Sequence, residues 1–186
     1  MTTVFISGSR KISRLNQQIR DRLRNILAQQ YEIVIGDANG ADKAVQKYLL
    51  DEKYRYVTVY CSGNTCRNNL GKWSVLRVEV DANLKGRDFY AEKDKKMAEI
   101  ADYGLVLWDG RSPGSYSNIM ELLKRRKKVL VYFSPERSFL SISKLEDATK
   151  LLSKCDITSQ DEIKRKIKLP SLIKEIESVA QGAFGF

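Results

Sequence analysis

Three short glycine-bearing segments carry the residue types that hold an anion. In "SGSRK" (Ser7–Lys11), Gly8 lets the chain turn after an apolar run, and Ser9 and Arg10 follow with a hydroxyl and a guanidinium. In "GDANGAD" (Gly36–Asp42), Gly36 and Gly40 bracket a polar loop before Ala41 and Asp42 open a helix-like stretch. In "LWDGRSPGSYSNIMEL" (Leu107–Leu122), Asp109 ends a strand-like run, Gly110 and Gly114 flank Arg111, Ser112 and Pro113, and Ser115 starts a helix. Backbone N–H groups at such a helix start lie at the positive end of its dipole, which suits a phosphate. Each loop alone reads equally well as an ordinary strand-to-helix turn, with Asp37 and Asp42 as caps. The second loop fits neither GxxxxGK[ST] nor GxGxxG. Three such loops on successive strand ends weigh more than one.

The rest of the composition narrows the chemistry. The chain has no histidine, which removes every mechanism with an imidazole base, Ser-His and Cys-His nucleophiles included. Acid–base work would fall to carboxylates, Lys, Tyr or Cys. Cys61, Cys66 and Cys155 show no framework spacing and are expected as reduced thiols. Without histidine or a second cysteine pair they do not make a zinc site, so no metal is expected. The net charge of +10 admits nucleic acid or small polyanions as partners. Its densest runs, Lys124–Lys128 and Lys164–Lys168, read first as solvated helix faces, which makes nucleic acid the lesser expectation. No apolar run is long enough for a membrane span, and the start "MTTVFISGSRK" lacks a signal-peptide pattern, so a cytoplasmic protein is expected.

The elements that must position these loops alternate. "TVFISGS", "YEIVIGD" and "YVTVYC" are apolar runs of strand length, separated by helical stretches. In those stretches Leu15, Ile19, Leu23, Ile26 and Leu27, then Ala41, Ala44, Val45, Tyr48 and Leu49, share an inward face. "SVLRVEV" alternates like a half-exposed strand. "FYAEKDKKMAEIA", "YGLVLW", "SYSNIMELLKRRK" and "KVLVYF" then read as helix, strand, helix and strand. Such alternation predicts a parallel sheet with right-handed crossovers. Beyond Phe133 two short helices are expected. One begins with Ser143 and Glu146 in capping-box spacing, and the other is punctuated by Pro170 and Gly182.

Four phrases taken together, "GSR", "GDANGAD", "KDKKMAEIAD" and "LVLWDGRSPGS", resemble the SLOG superfamily. That group contains the Lonely Guy phosphoribohydrolases, the DNA-processing proteins of the DprA kind and the YspA-like proteins. The likeness runs from Val4 to Phe133 and is nearest to the YspA-like branch, with its phrases G.A.GAD and WDG.S.GT. It implies a Rossmann-like, three-layer α/β fold with a mostly parallel central sheet and extra C-terminal helices. Residues 1–133 would form the nucleotide-binding domain, and 134–186 a helical extension packed on it. The implied ligand is a nucleotide or nucleotide-derived phosphate, with no cofactor. The implied binding positions are Gly8, Ser9 and Arg10, then Gly36, Asp37, Gly40, Ala41 and Asp42. From the third loop come Asp109, Gly110, Ser112, Gly114, Ser115 and Asn118. Ser115 replaces the usual threonine and keeps its hydroxyl.

The phosphoribohydrolases carry P-G-G-x-G-T-x-x-E, whose glutamate assists glycosidic cleavage. Matching by spacing puts Glu121 on that glutamate. Anchoring on the strand "GLVLW" instead puts "DGR" on P-G-G, Gly114–Ser115 on G-T, and Asn118 on the glutamate. Asn118 can bond a sugar hydroxyl but cannot transfer a proton as a carboxylate does. Glu121 lies one turn further, about 4.5 Å along the axis, outside the tolerance of a reacting geometry. The family's helix phrase R-K-x-x-M survives only as Lys93, Asp94 and Met97. The expectation is therefore a binding or sensing module acting with an effector protein. The alternatives are a nucleoside-monophosphate phosphoribohydrolase using Glu121 or another acid such as Asp88, and a DprA-like DNA-binding protein. The C-terminal helices and the apolar "AFGF" would supply a homodimer interface, or simply cover a sheet edge.

Overall fold

The computed structural model describes residues 1–182, so the "AFGF" segment proposed for an interface lies outside the described residues. Strands β1 (Thr3–Gly8), β2 (Glu32–Gly36), β3 (Val57–Ser62), β5 (Tyr103–Trp108) and β6 (Lys128–Phe133) are the apolar runs, with β4 (Ser74–Val78) and β7 (Ser138–Ile142) at the sheet's two ends. Alternation along the strands sends side chains to opposite faces. Phe5, Val34, Val106 and Trp108 enter one core, while Val4, Ile6, Ile33, Ile35, Leu105 and Leu107 enter the other. The second core is covered by α1 (Gln17–Ala28) and α2 (Ala41–Asp51). The first is covered by α3 (Gly86–Ile100), α4 (Pro113–Lys124), α5 (Leu145–Ser153), α6 (Ile157–Lys166) and α7 (Leu169–Gly182). Burial on both faces explains why the central strands show no polar alternation. The fold is a Rossmann-like three-layer α/β sandwich.

The sheet order is β4-β3-β2-β1-β5-β6-β7, parallel except for the last pair. Successive strands move outward on one side from β1 to β4 and on the other from β5 to β7. The order therefore reverses between β1 and β5, where Gly8 pairs with Leu107. In an open α/β sheet that switch point leaves a crevice at the carboxyl ends of the strands.

The chain beyond Phe133 departs from expectation. It forms a turn at Ser134–Glu136, the antiparallel strand β7 and three helices, where two helices were expected. β7 hides in "SFLSI" because it is short and only partly buried. α6 hides because only Ser159 and Ile163 of its ten residues are buried. The expected Ser143–Glu146 capping box is also displaced. The carboxylate that receives the Ser143 and Lys144 N–H groups belongs to Asp147, at 3.0 and 3.2 Å, because the helix begins one residue later.

Candidate functional site

All three glycine loops lie at the carboxyl edge of the sheet, at the ends of β1, β2 and β5. A cleft of about 1120 Å³ opens there. Of the sequence-predicted positions, Gly8, Arg10, Asp42, Asp109 and Ser112 line it, as do Gly114, Ser115 and Asn118. Ser9, Gly36, Asp37, Gly40, Ala41 and Gly110 shape the loops without lining it. Gly40 has φ +86°, and a Cβ there would lie 2.2 Å from the Arg10 carbonyl oxygen, so the second loop can press on the first only with glycine at this position.

Several loop amides, those of Ala38, Arg111 and Ser112, are engaged by the protein's own carboxylates. Asp109 Oδ1 accepts from the Arg111 and Ser112 N–H groups at 3.0 and 2.8 Å and from the Ser9 hydroxyl at 2.9 Å. Ser9 Oγ in turn accepts from Asp109 N–H at 3.1 Å and lies 3.2 Å from Ser115 Oγ. The Ser112 hydroxyl caps α4 by accepting from the Ser115 N–H. Ser9 is fully buried, so its hydroxyl is a tie across the switch point rather than a free donor. Positive charge for an anion must come from side chains.

A line of buried polar groups forms the floor. Lys93 of α3 is 3 % exposed, and its ammonium donates to Asp94 at 2.7 Å. Burial works against its charge, but Asp94 and Asp42 outweigh burial and raise its pKa. Asp42 receives the Ala38 N–H at 3.1 Å. Burial pushes its carboxyl up to about 6 in spite of Lys93, with Asp94 adding to the rise. The difference between them is direct bonding: Lys93 has a carboxylate in hydrogen-bond contact, whereas Asp42 has only one amide. A Cβ on Gly36 would sit 2.5 Å from Asp42 Oδ2 and 2.6 Å from Lys93 Nζ, so this glycine makes the space for the pair. Asn118, with its amide turned to suit its neighbours, donates to Asp94 Oδ2 and the Gly114 carbonyl and accepts from the Ser7 hydroxyl.

The wall beyond this floor was not foreseen. Arg67, in the connection after β3, donates from Nε and Nη2 to Asp37 at 3.1 and 2.6 Å, and its N–H adds a third bond at 3.0 Å. Burial alone would raise the Asp37 carboxyl, but the Arg67 bonds and the Lys93 charge bring it below its ordinary value. The guanidinium carbon lies 4.1 Å from the ring centroid of Tyr90 on α3, and both residues line the cleft. The adjoining residues correct the reduced-thiol expectation. Cys61 and Cys66 are joined as a disulfide, because the chain turns back at Gly63 and brings their Cα atoms to 5.3 Å, within bonding range. Cys155 is free, and burial first, then Asp156 and Asp109, pushes its thiol up to about 11.

Glu121 stays out of the cleft. Its carboxylate pairs with Arg125 and faces an adjoining hollow of about 510 Å³ between α3, α4 and the last two helices. Asp88 lines both spaces, but its side chain is 72 % exposed and lies 3.9 Å from the Arg87 guanidinium. The last wall comes from α6, through Asp156, Thr158, Ser159, Glu162 and Lys166. The run Lys164–Lys168 thus contributes one residue to the cleft. The run Lys124–Lys128 sits at the far end of α4, where Lys124 and Arg125 pair with Glu175 and Glu121. Arg10, Lys11 and Arg111 line the cleft with no ion pair or side-chain hydrogen bond among the described residues. No cluster of three metal-ligating side chains and no helix long and apolar enough to cross a membrane occurs among the described residues.

No family model matches the chain, and no curated protein matches it either. Among solved structures it is similar to DNA processing protein A from Helicobacter pylori, a protein studied for its single-stranded DNA binding. The TM-score is 0.56 at 18% identity, over 90% of this chain and 80% of that one. At that identity the likeness is one of fold.

Proposed function

We propose that the cleft binds a nucleotide or nucleotide-derived phosphate ligand, and that the protein is a binding or sensing module of the SLOG type rather than a glycosidase. The observation that carries this reading is the position and charge of the cleft. It lies at the switch point of the sheet, where ligands of open α/β folds bind, and its lining carries Arg10, Lys11 and Arg111 as cations with no ion pair among the described residues. The strand-anchored alignment agrees with the geometry, since Asn118 lines the cleft and Glu121 does not. An oxygen-rich ligand would meet Arg10 and Arg111 as flexible, charged donors, and the remaining lone pair of the Asn118 amide oxygen as an acceptor for a sugar hydroxyl.

A calorimetric titration with nucleoside mono- and diphosphates, cyclic nucleotides and ADP-ribose tests this, with chromatography of the products. Binding without base release is the expected result. Arg10→Ala should weaken it by about 1.5–3 kcal/mol, the worth of a charge-assisted hydrogen bond. Base release abolished by Glu121→Gln would overturn the binding reading in favour of a phosphoribohydrolase.

The fold shared with DNA processing protein A, together with the net charge of +10, supports a second reading in which the cleft edge holds single-stranded DNA. Retention of an oligonucleotide that falls steeply with salt, and that is weakened by Arg10→Ala and Arg111→Ala, would favour it.

A further inference from the structure

We infer that the Arg67–Tyr90 stack is the platform on which the planar base of the cleft's ligand lies, an inference that rests on the nucleotide reading above. Arg67 has one of its two donor edges filled: Nε and one Nη2 N–H bond the Asp37 carboxylate at 3.1 and 2.6 Å, and Asp37 is 1 % exposed. That fork locks the guanidinium plane, and the main-chain N–H of Arg67 bonds the same carboxylate, so backbone and side chain are fixed together. A guanidinium held in this way offers its flat face, which is weakly hydrated and stacks on aromatic rings and bases.

The second member is oriented as firmly. Tyr90 meets the guanidinium at 4.1 Å on one side and the edge of Phe89 at 5.2 Å, with the rings at 88°. Both plate residues line the cleft, and neither is fully buried, with 29 % of the Arg67 side chain still exposed. Planar groups of this kind bind any base through its π face, independently of its hydrogen-bonding edge.

The position of the plate within the sheet matches one nucleotide. Arg10 and Lys11 follow β1, Arg111 follows β5, and Arg67 follows β3, which is separated from β1 by β2. Two interstrand spacings are about 10 Å, comparable with the reach of a nucleotide from its phosphate to its base. A phosphate on the cations beside the switch point therefore directs the base outward along the carboxyl edge, toward the plate. Asn118 and the Lys93–Asp94 pair lie on the floor between them, where the sugar would pass.

Isothermal titration of four nucleoside monophosphates and of ribose 5-phosphate, which lacks a base, tests the platform. The wild-type protein should bind the nucleotides at least tenfold more tightly than ribose 5-phosphate, with purines ahead of pyrimidines because their faces are larger. Tyr90→Leu should bring that ratio to within about threefold, and Tyr90→Phe should keep it, since any aromatic face can stack on a base. A merely structural Tyr90 would lower the melting temperature in the leucine variant without changing the ratio. Equal wild-type affinity for ribose 5-phosphate and the nucleotides would overturn the platform and leave the phosphate site standing. A ratio unchanged in Tyr90→Leu would do the same. Failure of the wild-type protein to bind any of the probes would overturn both readings.

Discussion

Replacing Asp42 by asparagine should stabilise the protein at neutral pH and leave it unchanged only below the unfolded carboxyl value of 3.8. Asp42 is 5 % exposed, accepts one amide hydrogen bond and faces Lys93, with Asp94 and Asp37 as further carboxylates around the same ammonium. Burial raises its carboxyl from 3.8 to about 6 in the folded protein. The folded state thus holds the proton more tightly than the unfolded state. Stability linked to the protonated form is complete below 3.8 and is lost as pH rises through about 6. Two pKa units amount to about 3 kcal/mol. Asparagine keeps the shape and an oxygen acceptor for the Ala38 N–H, and it stays neutral at every pH. Lys93 retains Asp94 at 2.7 Å, so the substitution does not leave the ammonium bare. Urea unfolding of both proteins between about pH 3 and 8 should show nearly equal stabilities at the acid end, below 3.8. The Asp42→Asn variant should then gain steadily, by about 3 kcal/mol at pH 7.5. A stability difference that does not vary with pH would refute the reasoning. A variant less stable at pH 7.5 would show that the attraction of Lys93 exceeds the cost of burial.

Other outcomes follow from the same geometry. Ser9→Ala removes the tie between Asp109 and Ser115 and leaves a half-buried Asp109 N–H without its partner, so urea unfolding should register a loss of about 1 kcal/mol. Asn118→Ala should weaken nucleotide binding by about 1 kcal/mol, while Glu121→Gln, outside the cleft, should change it less than twofold. Reducing the Cys61–Cys66 bond should lower the stability to global unfolding by about 2 kcal/mol, the lower end of the usual range because the closed loop is short. It should also speed tryptic cleavage after Arg67 and weaken nucleotide binding severalfold. Alkylation of the native protein before reduction should mark only Cys155, and three marked cysteines would refute the bond.

What could be read from the sequence follows from how much each residue's type reveals about its partner. β1, β2, β3, β5 and β6 are buried on both faces and therefore appear as unbroken apolar runs between helical periods. The half-exposed β4 shows its alternation. β7 and α6 carry too few buried residues to leave a period, so neither was visible. In the site, the glycines mark where the chain turns, and the turns are there. Sequence does not reveal that Asp109 takes the amides of its own loop, because a capping carboxylate and an absent one look alike from spacing. Lys93 sits inside "KDKK", which reads as a solvated face. It is buried because the early turns of α3 cross the carboxyl edge over Gly36. Arg67 and Tyr90 lie in an irregular connection and on a weakly amphipathic helix. Neither carries a signal beyond the unpaired Asp37 that one of them answers.

The α6 wall means that the cleft is completed only after the sheet that frames it has been synthesised. The strands that set the switch point, and the loops that follow β1, β2 and β5, have all left the ribosome once β6 and β7 have. At that moment the sheet can close, yet the groove still lacks the side bearing Asp156, Ser159 and Lys166. Domains fold as units while the chain emerges at about 5–20 residues per second. The segment from Ser143 to Lys166 therefore imposes a delay of roughly one to five seconds between a complete set of strands and a closed groove. A chain stalled or clipped between β7 and α6 would lack one side of the groove and the α6 and α7 cover of the first core, and could not retain what the finished protein holds. Captured on stalled ribosomes, such intermediates should gain ligand retention only once α6 has cleared the exit tunnel.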